Sequence, residues 1–128
     1  MVYSSLLKKE KKLGVIGLGY VGLPLAYEFS KKLDVVGFDL DESKINSYLS
    51  GVDITNEVGS KELKESKIFF TSDSLNLQDV IFFVVAVPTP VGKNNIPNLN
   101  PLINASKTIG RYLKNGDVVV FQHFSFCF

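Results

Sequence analysis

Two features of the sequence could do chemistry together. One is a glycine-patterned run, Gly17-Leu18-Gly19-Tyr20-Val21-Gly22; the other is a carboxylate, Asp39, about 20 residues beyond its start. In such a run Gly17 permits a tight turn and Gly19 lets the backbone approach a pyrophosphate. Gly22 lets the helix that follows pack close to the strand that precedes it. The mouth of that helix offers unpaired N–H groups and a partial positive charge, both of which favour an anion. Asp39 could accept hydrogen bonds from both hydroxyls of an adenine ribose, and its charge would repel a 2′-phosphate. The next position is Leu40, so no arginine is there to welcome that phosphate. The chemistry is dinucleotide binding, with NAD favoured over NADP. FAD is set aside, because nothing resembles a second flavin-contacting segment.

A chain with 10 glycines can produce G-x-G-x-x-G by chance, so the motif stands on its context. That context is present. Leu13 to Ile16 is a short apolar run ending in glycines and reads as a buried strand. From Tyr20 to Leu33 the period becomes helical, with Gly22, Leu25, Ala26, Phe29 and Leu33 on one face and Glu28, Lys31 and Lys32 on another. Pro24 falls early enough in this helix to be tolerated. Val35 to Phe38 predicts a second strand closing on Asp39. Asp41 then caps a helix to about Ser50, with Ile45, Tyr48 and Leu49 inward and Gly51 as its stop.

Val52 to Ser66 reads as a loop with one short helix near Lys61 to Glu65, and Lys67 to Thr71 as a third strand. Val80 to Val87 is apolar without alternation, the pattern of a strand covered on both faces, and Pro88-Thr89-Pro90 stops it. Asn100-Pro101 should open a helix running to Lys114, ended by Asn115-Gly116, before a fifth strand from Asp117 to Phe121. Strands alternating with helices predict an α/β fold: a doubly wound, three-layer parallel sheet of the Rossmann type. Five strands in the order 3-2-1-4-5 would leave it incomplete.

Composition narrows the alternatives. At 128 residues the chain has the size of one domain, and 45% apolar content is too high for a disordered tail. A net charge of +1 gives no surplus for nucleic acid or an anionic membrane. The longest apolar run is far short of a membrane span, and Met1 to Lys12 lacks the form of a secretory signal. Lys8 to Lys12 reads as a solvated lead-in. Cys127 has no internal partner, which fits a reducing, cytoplasmic setting. Nor do His123 and Cys127 make a zinc site, since two ligands do not close one.

The segment Gly14 to Ala26 closely resembles the start of the UDP-glucose/GDP-mannose dehydrogenase family. Gly37-Phe38-Asp39, Val87-Pro88-Thr89-Pro90-Val91 and Ala105-Ser106-Lys107-Thr108-Ile109-Gly110 match it too. Thr55-Asn56-Glu57-Val58 and the Val-Pro-Thr-Pro form are most similar to the branch that oxidises UDP-N-acetylhexosamines for surface polysaccharides. The resemblance implies an N-terminal NAD domain, a linking helix and a UDP-sugar domain, assembled as an oligomer and oxidising the sugar C6 alcohol to a carboxylate. Carried onto this chain, Gly17, Leu18, Gly19, Tyr20, Val21 and Gly22 would hold the pyrophosphate. Asp39 and Lys44 would hold the adenosine ribose, and Ala86, Val87, Pro88, Thr89 and Pro90 would lie along the nicotinamide half.

The likeness fails after Val120. Gln122 stands where the family has glutamate, and the family's nucleophilic cysteine with its lysine and asparagine partners would lie beyond Phe128. The expectation is a single NAD-binding domain over 1–128, a truncated or out-of-frame piece that is inactive alone. A non-catalytic NAD-sensing module is the alternative. Of Phe121, Phe124, Phe126 and Phe128, the last three alternate and on an edge strand would form an apolar stripe, so the tail is expected to pack against another chain.

Overall fold

Five runs rich in β-branched and aromatic residues form the sheet: Lys12–Ile16 (β1), Val35–Phe38 (β2), Phe69–Thr71 (β3), Val80–Val85 (β4) and Val118–Phe121 (β5). The helices are Val2–Leu7 (α1), Gly22–Ser30 (α2), Glu42–Leu49 (α3), Ser60–Glu65 (α4) and Asn100–Gly110 (α5). These elements come from a computed structural model that describes residues 2–122. All strand pairs are parallel, in the order β3-β2-β1-β4-β5. The chain therefore winds outward in one direction from β1 and then in the other from β4, which opens a crevice between their carboxyl ends. This is the doubly wound α/β arrangement that the alternation of elements predicts.

Alternation along the strands builds two cores. Leu13 and Val15 of β1 join Leu23 and Ala26 of α2, Ile45 and Tyr48 of α3, Leu63 of α4 and Leu6 of α1 in one layer. Ile16, Phe38, Phe83 and Val85 face the other way, against Ala105 and Ile109 of α5. β4 contributes to both layers, which is why its sequence shows no polar alternation. A register shift between Lys12 and Leu13, where the partners jump from Val80 to Phe82, inserts one extra residue. That bulge explains why Ile81 and Phe82, adjacent in sequence, both pack on the first core.

Several boundaries differ from the sequence expectation. α2 begins at Gly22, and the residues before it form the turn. β4 ends at Val85, two residues early, so Ala86 and Val87 leave the sheet and enter the crevice. Leu49 is 64% exposed, because only Ile45 and Tyr48 of this short helix reach the core. α5 is not capped by the Asn100 side chain; Asn98 instead accepts the Asn100 N–H from two residues upstream. The helix stops at Gly110 and gives way to turns in which Arg111 and Tyr112 bond three residues back. α1 stands ahead of the Lys8 to Lys12 lead-in, where the sequence reading places no element, with Leu6 buried and Val2 partly so. Among the described residues, no helix is long and apolar enough to cross a membrane.

Phe83 is fully buried at the centre of the second core. Phe83→Ala should cost about 3–5 kcal/mol, read as a lowered urea midpoint at unchanged slope.

Candidate functional site

The turn after β1 is set by close contact. Gly17 has φ +96°, and a Cβ there would come within 2.9 Å of the Ala86 carbonyl. A Cβ on Gly22 would sit 1.6 Å from the Gly17 oxygen, so α2 can approach β1 this closely only without a side chain. Gly19 is different: no protein atom lies within 4 Å of an added Cβ. The fold accounts for the first and third glycines, and the space beside the second is open. Among the described residues, the N–H groups of Gly19, Tyr20 and Val21, in the turn that leads into α2, have no hydrogen-bond partner.

Leu18, between them, is fastened on every side. Its side chain packs over Gly37, where a Cβ would meet the Leu18 methyl groups at 3.2 Å. Its N–H donates to Asp39 Oδ2 at 2.9 Å, and its carbonyl accepts from the Tyr48 hydroxyl. Asp39 Oδ1 accepts the Asp41 N–H at 2.9 Å, and Lys44 Nζ lies 3.3 Å from Oδ2. Three protein donors thus occupy the carboxylate, which offers about four lone-pair sites. For Asp39 to take both ribose hydroxyls, as the sequence reading expects, one of these donors would have to yield or share. Lys44 makes the longest of the three contacts. Asp41 caps α3 as its sequence position predicts, accepting the N–H groups of Ser43 and Lys44.

A cleft of about 780 Å³ collects these parts. It is lined by Gly17, Leu18, Gly19, Tyr20 and Val21, by Asp39 and Lys44, and by Ala86, Val87, Pro88, Thr89 and Pro90. Gly22, which the motif groups with them, does not line it and acts instead by letting α2 in close. The cleft's volume falls in the usual range for a small-molecule site. The Phe-rich stripe beyond Phe121, with His123 and Cys127, lies outside the described residues.

Two parts of the wall escape sequence reasoning. α5 supplies Asn104 and Thr108, and the loop after α3 supplies Ile54 and Thr55. This loop is built around Asp53, which is 5% exposed. Its carboxylate accepts the N–H groups of Thr55, Asn56, Val58 and Gly59 and the Thr55 hydroxyl, at 2.6–3.2 Å. The local signal was an Asp two residues before Thr, the pattern of a side chain capping its own turn.

Set against known proteins, the chain matches the sequence profile of the UDP-glucose/GDP-mannose dehydrogenase family, NAD binding domain, over residues 11–123. It is 49% identical over 115 residues to a UDP-N-acetyl-D-glucosamine 6-dehydrogenase of Pseudomonas aeruginosa, covering 89% of this chain and 27% of that protein. It is 43% identical over 112 residues to Protein CapL of Staphylococcus aureus, covering 88% and 26%. The solved UDP-D-ManNAc dehydrogenase of Pyrococcus horikoshii superposes with a TM-score of 0.75 at 30% identity, over 86% of this chain and 28% of that one. The chain spans about a quarter of the length of the curated relatives it matches.

The Asp53 loop gives the cleft wall an acid limit. Burial opposes the charge, but the Thr55 hydroxyl and the Gly59, Val58 and Thr55 N–H groups outweigh it and hold the pKa down to about 2, from 3.8. A depressed carboxylate stabilises the fold above its unfolded pKa and loses that contribution as pH falls through the folded one. Asp53 should therefore contribute about 2 kcal/mol at neutral pH, lost between about pH 4 and 2. Denaturation of wild type and Asp53→Asn across that window checks this: the gap between them should shrink as pH falls.

Proposed function

The chain belongs to the UDP-glucose/GDP-mannose dehydrogenase family, whose NAD-binding domain it matches, and on that premise we propose a definite seat for NAD in its cleft. The N–H groups of Gly19, Tyr20 and Val21 receive the pyrophosphate. Asp39 and Lys44 take the adenosine ribose, with Lys44 turning from the carboxylate to share a hydroxyl. Ala86 to Pro90 flank the nicotinamide half. The observation that carries this reading is the open space beside Gly19, framed by unpartnered N–H groups and sharing a cleft with an acidic residue.

For the whole protein we propose the activity that its relatives' names carry, oxidation of a UDP-N-acetylhexosamine at C6, and with it a place in surface polysaccharide synthesis, as the family resemblance implies. Alcohol to carboxylate removes four electrons, an oxidising capacity that two NAD would supply, one hydride apiece, with water providing the second oxygen. This chain would contribute the cofactor half, and the groups that bind and oxidise the sugar would belong to a further domain. A cytoplasmic, oligomeric enzyme fits this reading. Pro88 and Pro90 are exposed, so the described residues leave the nicotinamide end open, as a crevice awaiting a second domain would be. That favours the dehydrogenase over a self-contained NAD sensor.

Calorimetric titration tests the seat. NAD should bind the wild type more tightly than NADP, and Asp39→Ala should weaken NAD roughly 10- to 100-fold, since hydrogen bonds to a charged group are lost. Equal binding would remove Asp39 from this role. The 128-residue chain mixed with NAD and UDP-N-acetylglucosamine should form no NADH. Turnover would show that it holds a complete active site.

A further inference from the structure

Tyr48 does not line the cleft, yet it touches the turn that forms the cleft floor. Its ring is 2% exposed and packs against Phe70 with centroids 5.3 Å apart. Its hydroxyl reaches 30 residues back to donate to the Leu18 carbonyl. Burial, with Asp53, Asp39 and Asp41 nearby, raises the tyrosine's pKa well above its ordinary value, so the phenol stays a donor at any working pH.

The consequence follows from peptide geometry. In a trans peptide the C=O and N–H point in opposite directions across one rigid plane. Pinning the Leu18 oxygen from the core side therefore fixes the Gly19 N–H on the other side. Glycine flanks that plane and permits rotation more readily than any other residue. Rotated, the peptide would present an oxygen, not an N–H, to an incoming phosphate. The preceding plane is held separately, by Leu18 N–H on Asp39. Leu18 is fully buried, so no water can replace the phenol.

We propose that Tyr48 is a positioning residue for the dinucleotide turn, holding the Leu18–Gly19 peptide in the one orientation that offers its N–H to a pyrophosphate. Lys44 and Tyr48 stand four apart on α3, so one helix carries both the ribose-side cation and this strut. The inference rests on NAD binding in the cleft.

The test compares ligands that do and do not contain a diphosphate. NAD and ADP are titrated calorimetrically against wild type and Tyr48→Phe, and adenosine is followed by ligand-observed NMR. Tyr48→Phe should weaken NAD and ADP by about tenfold, the cost of a stranded buried carbonyl, and leave adenosine unchanged. Phe70→Leu, which loosens the same ring's packing, should lower the melting temperature but leave NAD and ADP affinity in place. Unchanged NAD and ADP binding in Tyr48→Phe would overturn the proposal. So would equal losses for all three ligands, or an unfolded Tyr48→Phe chain, since the hydroxyl would then be supporting the core and not the turn. If the wild type itself fails to bind NAD, the cofactor seat falls first and this proposal with it.

Discussion

The Gly17 carbonyl and the Cα of Gly22 approach so closely that a methyl group at position 22 would overlap the oxygen. This contact determines where the first turn of α2 stands relative to β1. With it, the helix begins directly over the strand end, and its unpaired N–H groups gather at the point where the sheet's winding reverses. A larger residue at either position would tilt α2 away and disperse those donors. The buried face of α2, with Leu23 and Ala26 fully enclosed, holds the helix down in the position that the glycines permit.

Asp39 shows how closely fold and recognition are joined here. Its carboxylate closes the turn through Leu18, starts the connection to α3 through Asp41, and draws in Lys44. The charge that would distinguish one dinucleotide from another is therefore the charge that braces the loop. The cation beside it keeps a quarter of its side chain exposed, so it can change partners without disturbing the carboxylate's two backbone bonds.

The sheet, its strand order and most of the cleft were legible in the sequence, because each rests on a short-range rule. Val80 to Val85 announces a central strand by lacking polar residues, Asp41 announces a helix start, and the glycine run announces a phosphate-type turn. Less legible were features decided by tertiary contact. Helix α1 has only Val2 and Leu6 to turn inward, too few to show a period. Leu49 looks like a core residue until α3 proves to lie on the sheet through Ile45 and Tyr48 alone. The wall formed by Ile54 and Thr55 depends on Asp53 folding a polar stretch around itself, and polarity by itself reads as an ordinary loop. In α5, the Asn100-Pro101 pair marked the helix start correctly, but the stabilising acceptor came from Asn98, outside the pair.

Helix α3 also works as a ruler. Its capping carboxylate at 41, its ammonium at 44 and its phenol at 48 reach three different targets from a single rigid rod. Adding or deleting one residue between Lys44 and Tyr48 would rotate the phenol by about 100° around the rod's axis while leaving the ammonium where it is. A change in the length of this stretch would sever the mechanical link between the Asp39–Lys44 pair and the turn that floors the cleft.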